Sequence, residues 1–206
     1  IGVMGCMVEN YKHQFFKDYP HVDILIGTRS IRELPNAIEK ALAEREQVVE
    51  LAKTGFGYDL SEIPRFDGRV HVHLPIMTGC SKVCSFCVVP YVRGPEISRP
   101  FQEVLDQVKT FADSGIKHIK FLGQNVNSYG NGSKNVGAQL IALELKGVIN
   151  HTPTFSDLIR ETAKIKGIEK ISFMTSHPED ASEALFLAIR SEEKISRHFH
   201  LPLQSG

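Results

Sequence analysis

The chain has 206 residues, 42% of them hydrophobic, which is the ordinary content of a globular protein with a buried core. Its 24 basic and 24 acidic residues cancel, so the overall charge does not indicate nucleic-acid binding, and no apolar run reaches the ~20 residues of a membrane span. Four cysteines are too few and too clustered for a disulfide framework, so the sequence favours a cytoplasmic protein, without a membrane segment, whose thiols bind metal or act in catalysis.

The first 54 residues alternate between strand and helix patterns. Apolar residues predict strands over 1–4 and 22–26, and helices are predicted near 10–16 and over 31–45. This βαβα order favours parallel strands. The stretch at 55–69, GFGYDLSEIPRFDGR, breaks the periodicity with glycines and a proline, and it is interpreted as an interdomain linker.

From residue 70 onward, strands and helices alternate again. This order predicts a parallel sheet that opens either a (β/α) barrel or a doubly wound sheet, and both place their chemistry at the carboxyl ends of the strands. Thr154 and Asp157 form a capping-box pattern before one helix, and residues 129–153 are interpreted as an insertion. The strands are predicted at 70–77, 118–122, 170–174 and 198–201, and the helices at 100–114, 156–166 and 181–190.

Three of the four cysteines, Cys80, Cys84 and Cys87, have the spacing C-x3-C-x2-C directly after a predicted strand. A structural zinc site needs four ligands, commonly as two separated pairs, and no suitable partner lies near this loop in the sequence. Soft thiolates select iron-sulfur clusters, which normally take four of them. Three protein thiolates would leave one iron of a cubane open to a small molecule. Three buried cysteines without a ligand are the less favoured alternative, because free cysteines are normally scattered.

The segment CSKVCSFC resembles the signature of radical S-adenosylmethionine (SAM) enzymes. The resemblance implies a [4Fe-4S] cluster held by Cys80, Cys84 and Cys87, with SAM as the ligand of the open iron. In such enzymes one electron from the cluster cleaves SAM to a radical that abstracts hydrogen from an unreactive C–H bond, while the protein holds the geometry and excludes water. Gly79 and Ser85 are expected to let backbone N–H groups approach the cluster sulfurs.

The resemblance extends over nearly the whole chain. The segments GCSKVCSFCVVPYVRGPEISRP, LGQNVNSYG, FMTSHP and HLPLQSG occur in this order and together are similar to the methylthiotransferases, a family of radical SAM enzymes. They favour the branch that modifies tRNA, because the branch that modifies a ribosomal protein usually has Asp-Thr in place of Asn125-Val126 and lacks the Ser-His-Pro run. The implied reaction is 2-methylthiolation of N(6)-dimethylallyladenosine next to the anticodon.

The opening segment GVMGCMVEN resembles the end of the methylthiotransferase domain, with Cys6 as the last of three ligands of an auxiliary [4Fe-4S] cluster. The implied fold is α/β. Residues 1–54 would be the C-terminal part of that domain, and residues 70–206 the N-terminal part of a radical SAM core domain, a partial (β/α) barrel. The chain is therefore interpreted as a piece of a longer protein, in which the auxiliary cluster is associated with sulfur supply.

Polar residues at the predicted strand ends are the candidate SAM contacts implied by the resemblance. A guanidinium fork suits a carboxylate or a phosphate, which makes Arg93 a further candidate. An ion pair within the barrel is favoured for Arg99. The strand-end candidates are Gln124, Asn125, Ser176 and Gln204.

Five of the histidines after residue 70 are candidates for a role in the site. His177 is either catalytic or a loop-stabilising residue, and two strand pairs, His71 with His73 and His198 with His200, are expected as partly buried barrel residues rather than metal ligands. The implied partners are the anticodon loop of a tRNA and an electron donor such as flavodoxin or ferredoxin. Two alternatives remain: methylthiolation of a ribosomal protein, and a single-cluster electron carrier, which should be small and cysteine-dense.

Overall fold

The computed structural model describes residues 1–52, 70–130 and 153–202. The predicted linker at 55–69, most of the predicted insertion and Gln204 lie outside the described residues. Within the described ranges, no helix combines the length and the apolar character that a membrane crossing requires.

The described residues form two compact units. The first contains those of Ile1–Glu62 together with Gly79–Pro95, and the second contains those of Ile63–Thr78 and Glu96–Gly206. The cysteine loop therefore belongs to the first unit, and the residues at the strand ends belong to the second.

The first unit is built on a parallel three-stranded sheet. Its elements are β1 Gly2–Met4, α1 Cys6–Tyr11, α2 Gln14–Asp18, β2 Ile24–Ile26, α3 Leu34–Glu44, β3 Val48–Glu50 and α4 Val89–Arg93. The strand order is β1-β2-β3, and alternate side chains of β2 point to opposite faces. Leu25 packs with Val8 and Phe15 on one face, and Ile26 packs with Ala37 on the other. The middle strand is thus buried on both sides.

The predicted strands at 1–4 and 22–26 and the predicted helix at 31–45 are confirmed with shorter bounds, whereas the single helix predicted near 10–16 is confirmed only in part. Two short helices, α1 and α2, replace it, because Lys12 adopts a left-handed φ of 48° that ends the helical path. β3 is an additional strand. Its β-branched residues Val48 and Val49 are the sequence signal for it.

The second unit contains a parallel sheet with the strand order β4-β7-β8 and a two-stranded antiparallel ribbon, β5-β6. Its elements are β4 His71–Pro75, β5 Met77–Thr78, β6 Ile97–Ser98, α5 Phe101–Asp113, β7 His118–Leu122, α6 Phe155–Lys164, β8 Lys170–Phe173 and α7 Glu183–Ser191. The parallel strands are in register from His71 through His118 to Lys170. An α/β fold with parallel sheets is therefore confirmed.

One face of this sheet forms the core with the helices. Alternate strand residues such as Leu74, Ile119 and Phe173 pack against apolar residues of α5, α6 and α7. The buried stripe of α5 consists of Phe101, Val104, Leu105, Val108 and Phe111. The capping box predicted for Thr154 and Asp157 is confirmed at the start of α6. The opposite face carries the polar residues of the same strands.

The strand predicted at 198–201 is wrong. The chain meets the edge of β8 earlier, where Ile195 forms an isolated parallel bridge with Ile171. Ile171 N–H donates to the Lys194 carbonyl at 2.8 Å, and Ser196 N–H donates to the Ile171 carbonyl at 2.7 Å. These bonds already occupy the β8 edge, so His198 and His200 lie in irregular chain rather than on a strand.

Candidate functional site

The cysteine loop carries three partly exposed thiols, Cys80, Cys84 and Cys87, and none of them is in a disulfide. The Cys87 N–H donates to the Cys84 carbonyl at 3.0 Å, which closes a turn between the second and third cysteines. Among the described residues, no group of three or more His, Cys, Asp or Glu side chains is arranged to hold a metal ion, so the thiols are not a preassembled ligand set. Three accessible soft donors within eight positions nevertheless fit an iron-sulfur cluster chemically.

Gly79 sets the path of the chain into this loop. Its φ is 74°, and a Cβ at this position would overlap the carbonyl oxygens of Gly94 and Pro95. Cys80 N–H donates to the same Gly94 carbonyl at 3.1 Å. The absent side chain of Gly79 therefore allows the two ends of the loop to approach each other.

Arg93 and Cys6 meet within the first unit. Cys6 is the first residue of α1 and Arg93 is the last residue of α4, and the Arg93 Nε lies 3.4 Å from the Cys6 Sγ. The Arg93 carbonyl accepts a hydrogen bond from the Arg29 guanidinium. The structure therefore brings the helix after the cysteine loop to the fourth cysteine of the chain, although 87 positions separate the two residues.

Two predicted SAM contacts of the second unit have buried polar atoms without a partner in the described part of the chain. The Oγ of Ser176 and the Oε1 of Gln124 form no hydrogen bond among the described residues, and Ser176 is only 5% exposed. A buried polar atom left unpaired costs stability, so such atoms are expected where a ligand completes the bonding. Their position after β7 and β8 fits a polar ligand at the carboxyl ends of the strands.

Asn125, another predicted SAM contact, is engaged inside the protein together with Asn127. The Nδ2 of Asn125 donates to the Asp180 carboxylate at 2.7 Å, and its Oδ1 accepts from the His177 N–H at 3.0 Å. The Asn127 side chain binds both backbone groups of His177, accepting at 2.9 Å and donating at 2.8 Å. Asn127 and Asp180 are site residues that the sequence analysis missed, although the alternation in NVN offers a signal for the first.

His177 stabilises its loop. Its Nδ1 accepts a hydrogen bond from the Glu179 N–H at 3.2 Å, and its backbone is held by the two asparagines. Thr175, two residues earlier, has a φ of 69°, which is unfavourable for a β-branched residue. Strained backbone of this kind often accompanies a binding site.

Arg99 forms the ion pair favoured by the sequence analysis. Its guanidinium is buried and binds the Glu103 carboxylate, the Gln107 Oε1 at 2.8 Å and the Pro75 carbonyl at 3.1 Å. The Arg99 carbonyl accepts from the Tyr129 hydroxyl at 2.7 Å, and burial raises the pKa of that phenol. Arg99 is thus a structural residue of the second unit.

Three histidines share the polar face of the parallel sheet. The ring of His71 stacks on that of His118 with centroids 4.3 Å apart, and it contacts His73 edge-on at 4.7 Å. Burial lowers the pKa of His118 to about 4, and the nearby His71, Lys170 and Lys120 act in the same direction. His71 is half-buried, whereas His73 is exposed. The sequence analysis missed His118 as the third member.

A cavity of about 420 Å³ lies where α6 and α7 begin. Its lining includes Asn127, Thr154, Ser156, Arg160 and Ser182, and the Arg160 Nε is buried without a hydrogen bond to any described residue. The cavity adjoins the asparagine pair through Asn127. It provides space for a polar group beside the strand ends of the second unit.

Comparison with known proteins identifies related sequences. Residues 74–206 match the family model of the Radical SAM superfamily. Proteins named tRNA-2-methylthio-N(6)-dimethylallyladenosine synthase from Myxococcus xanthus and Anaeromyxobacter dehalogenans are each 39% identical to the chain, and one from Syntrophus aciditrophicus is 38% identical. The alignments cover 100% of the chain but 40% or 41% of the relatives. The chain thus spans about two fifths of the length of the curated relatives it matches.

Proposed function

The chain belongs to the radical SAM superfamily, and we propose that it is the part of a tRNA methylthiotransferase that holds the SAM-binding cluster. The complete enzyme would attach a methylthio group to C2 of N(6)-dimethylallyladenosine next to the anticodon. The observation that carries this proposal is the shared name of relatives that align with the whole chain at 38–39% identity.

Cys80, Cys84 and Cys87 would hold a [4Fe-4S] cluster, with SAM as its further ligand. Once bound, the cluster and SAM supply the one-electron chemistry that activates a C–H bond. The protein's part is to present three soft thiolates on one loop and to fix the path of that loop at Gly79. Accessible thiols allow the cluster to be inserted after folding.

Cys6 serves as one ligand of an auxiliary [4Fe-4S] cluster. Residues 1–54, which contain Cys6, are the C-terminal part of the N-terminal methylthiotransferase domain. Residues 70–206 form the first part of the radical SAM core, and the parallel sheet β4-β7-β8 is the opening of a partial (β/α) barrel. A flavodoxin or ferredoxin supplies electrons. The substrate, a tRNA anticodon loop, places the enzyme in the cytoplasm.

Ser176 and Gln124 are the SAM contacts that the second unit supports best. A hydroxyl can donate or accept and a Gln Oε1 accepts, so both suit the amino and hydroxyl groups of SAM. Arg93 remains the predicted partner of the SAM carboxylate, although its Nε contacts Cys6. Gln204 remains a predicted contact after the last apolar segment.

A chimera tests the proposed function. The matching segment of the Myxococcus xanthus relative is replaced by this chain and the gene is expressed in a strain whose own methylthiotransferase gene is deleted. Mass spectrometry of tRNA nucleosides should detect the 2-methylthio product, and a chimera carrying Cys84→Ala should yield none. A methylthiolated ribosomal protein with unmodified tRNA would contradict the proposed substrate.

The SAM response of the reduced cluster tests the cofactor assignment separately. Addition of SAM to the anaerobically reconstituted chain should change its electron paramagnetic resonance spectrum, because SAM binds the open iron. A cluster with four protein ligands, as in an electron carrier, should give an unchanged spectrum.

A further inference from the structure

Two loops of the second unit are joined by side-chain carboxamides. Residues 125–127 follow β7 and residues 175–180 follow β8, and both segments lie directly after their strands. Val126 N–H donates to the Thr175 carbonyl at 2.8 Å, and Asn125 and Asn127 add four side-chain hydrogen bonds to His177 and Asp180. The two loops therefore form one hydrogen-bonded unit.

The two asparagines direct their hydrogen bonds into the protein. Asn125 is 2% exposed and Asn127 is 5% exposed. Asn127 binds both the N–H and the carbonyl of His177, as the backbone of a neighbouring strand would. The Asn125 Oδ1 accepts from the same His177 N–H, and the Asn125 Nδ2 donates to the Asp180 carboxylate. Both ends of each carboxamide are thus occupied by the loop after β8.

Ser176 lies between the two held positions. The carbonyl of Thr175 is bound on one side and the backbone of His177 on the other, while the Ser176 Oγ has no hydrogen-bond partner among the described residues. Thr175 keeps a left-handed φ of 69° in this setting. A strained residue beside a buried, unpaired hydroxyl indicates a loop that is held in place for a ligand.

We propose that Asn125 and Asn127 are positioning residues that hold the backbone around Ser176, and that Ser176, rather than Asn125, contacts the ligand. The identity of that ligand as SAM rests on the proposed function, whereas the positioning role rests on the contacts alone. Asn125 thereby changes from a predicted SAM contact to a residue that acts through the loop.

The contact between Asn125 and Asp180 requires an amide facing a carboxylate. In Asn125→Asp, two carboxylates face each other, the donor to Asp180 is lost, and the loop loses one of its attachments. At acid pH, one carboxylate keeps its proton and donates it to the other, so the attachment returns. Other titratable groups described at this edge are His177 and Glu179 of the same loop and Glu96, which binds the Ser128 hydroxyl. Asp157 and Arg160 of α6 line the cavity together with Asn127.

Hydrogen exchange of the full chain, followed by mass spectrometry, tests the proposal. At pH 8, Asn125→Asp should increase the exchange of the peptide covering 174–180 about tenfold or more relative to the unsubstituted chain at the same pH, and at pH 5.5 this ratio should decrease. The exchange of β7 should stay unchanged. The matched control is the double variant Asn125→Asp with Asp180→Asn, in which the amide and the carboxylate trade positions. It restores an amide–carboxylate pair, so the exchange rate of the 174–180 peptide should return to within about twofold of that of the unsubstituted chain.

Unchanged exchange in Asn125→Asp, or a double variant no better protected than the single one, would overturn the positioning role. If Asn125→Asp unfolds the whole unit, the double variant still tests the positioning role, because it should fold and protect the 174–180 peptide again. SAM titration of Ser176→Ala separates the two claims, because this variant should bind SAM at least about tenfold more weakly with normal exchange at 174–180. A chain that binds no SAM in any variant would contradict the proposed function and leave the exchange result standing.

Discussion

The Nε2 of His118 lies 2.7 Å from the Oγ of Ser172 on the neighbouring strand β8. The same imidazole stacks on His71, and two lysines of the polar sheet face, Lys120 and Lys170, are close enough to oppose its protonation. Burial and these neighbours therefore lower the pKa of His118 in the folded chain, which couples the stability of the second unit to pH.

Stability should decrease as the pH falls from about 6.5 to about 4. The pKa of His118 is lowered from 6.5 to about 4, mainly by burial, and the pKa of His71 is lowered by the same cause. The unfolded chain thus binds protons in this range that the folded chain rejects, so the stabilisation is complete above pH 6.5 and is lost towards pH 4. Chemical denaturation at several pH values should show a flatter profile for His118→Asn and a flatter one still when His71→Asn is added. An unchanged slope would contradict the assignment.

Arg99→Ala should destabilise the second unit by about 2–3 kcal/mol. The substitution removes the hydrogen bonds that the buried guanidinium donates to the Pro75 carbonyl and the Gln107 side chain, and it removes a pair with the half-exposed Glu103. Urea denaturation measures the loss. The exposed pair of Lys109 with Asp106 on the same helix provides the control, because Lys109→Ala should cost less than about 1 kcal/mol. Equal losses in both variants would show that burial of Arg99 contributes nothing.

Gly79→Ala should prevent cluster assembly while leaving the second unit folded. A Cβ at Gly79 overlaps backbone carbonyls that cannot move independently, so the loop must change its path. Gly115→Ala is the matched control, since Gly115 also has a positive φ, of 90°, but a Cβ there meets nothing within 4 Å. The control should cost about 1 kcal/mol and retain iron. Iron content after anaerobic reconstitution distinguishes the two, and normal iron in Gly79→Ala would sink the steric explanation.

Local signals in the sequence predicted those parts of the site that one short segment determines. The capping box of Thr154 and Asp157 lies within one helix start, so a pattern is sufficient to predict it. The cluster assigned to Cys80, Cys84 and Cys87 also depends on one short loop, and it stays a prediction. The positions of Ser176 and Gln124 after β8 and β7 also follow from the local strand pattern.

Contacts between distant segments could not be predicted from the sequence pattern. The bond from Asn125 to Asp180 joins residues 55 positions apart, and it depends on which strands are neighbours. The apolar alternation at 198–201 predicted a strand, yet the edge of β8 is occupied by residues 194–196. Strand pairing is decided by competition for an edge, which alternation alone does not contain. The two motifs that favoured the tRNA branch, around Asn125 and His177, thus proved to be parts of one contact.

Anaerobic reconstitution should load about four irons per chain, and the amount should depend on the three loop cysteines and not on Cys6. Cys80, Cys84 and Cys87 supply three thiolates from one loop, so Cys84→Ala removes a ligand that no other thiol of the loop can replace. Cys6 is a single thiol beside the Arg93 guanidinium, and one thiolate does not hold a cubane. Iron and sulfide analysis should therefore give an unchanged value for Cys6→Ala and a value near zero for Cys84→Ala. A decrease of about four irons in Cys6→Ala would mean that Cys6 shares a cluster within this chain, and the separate roles assigned to the two cysteine sites would be wrong.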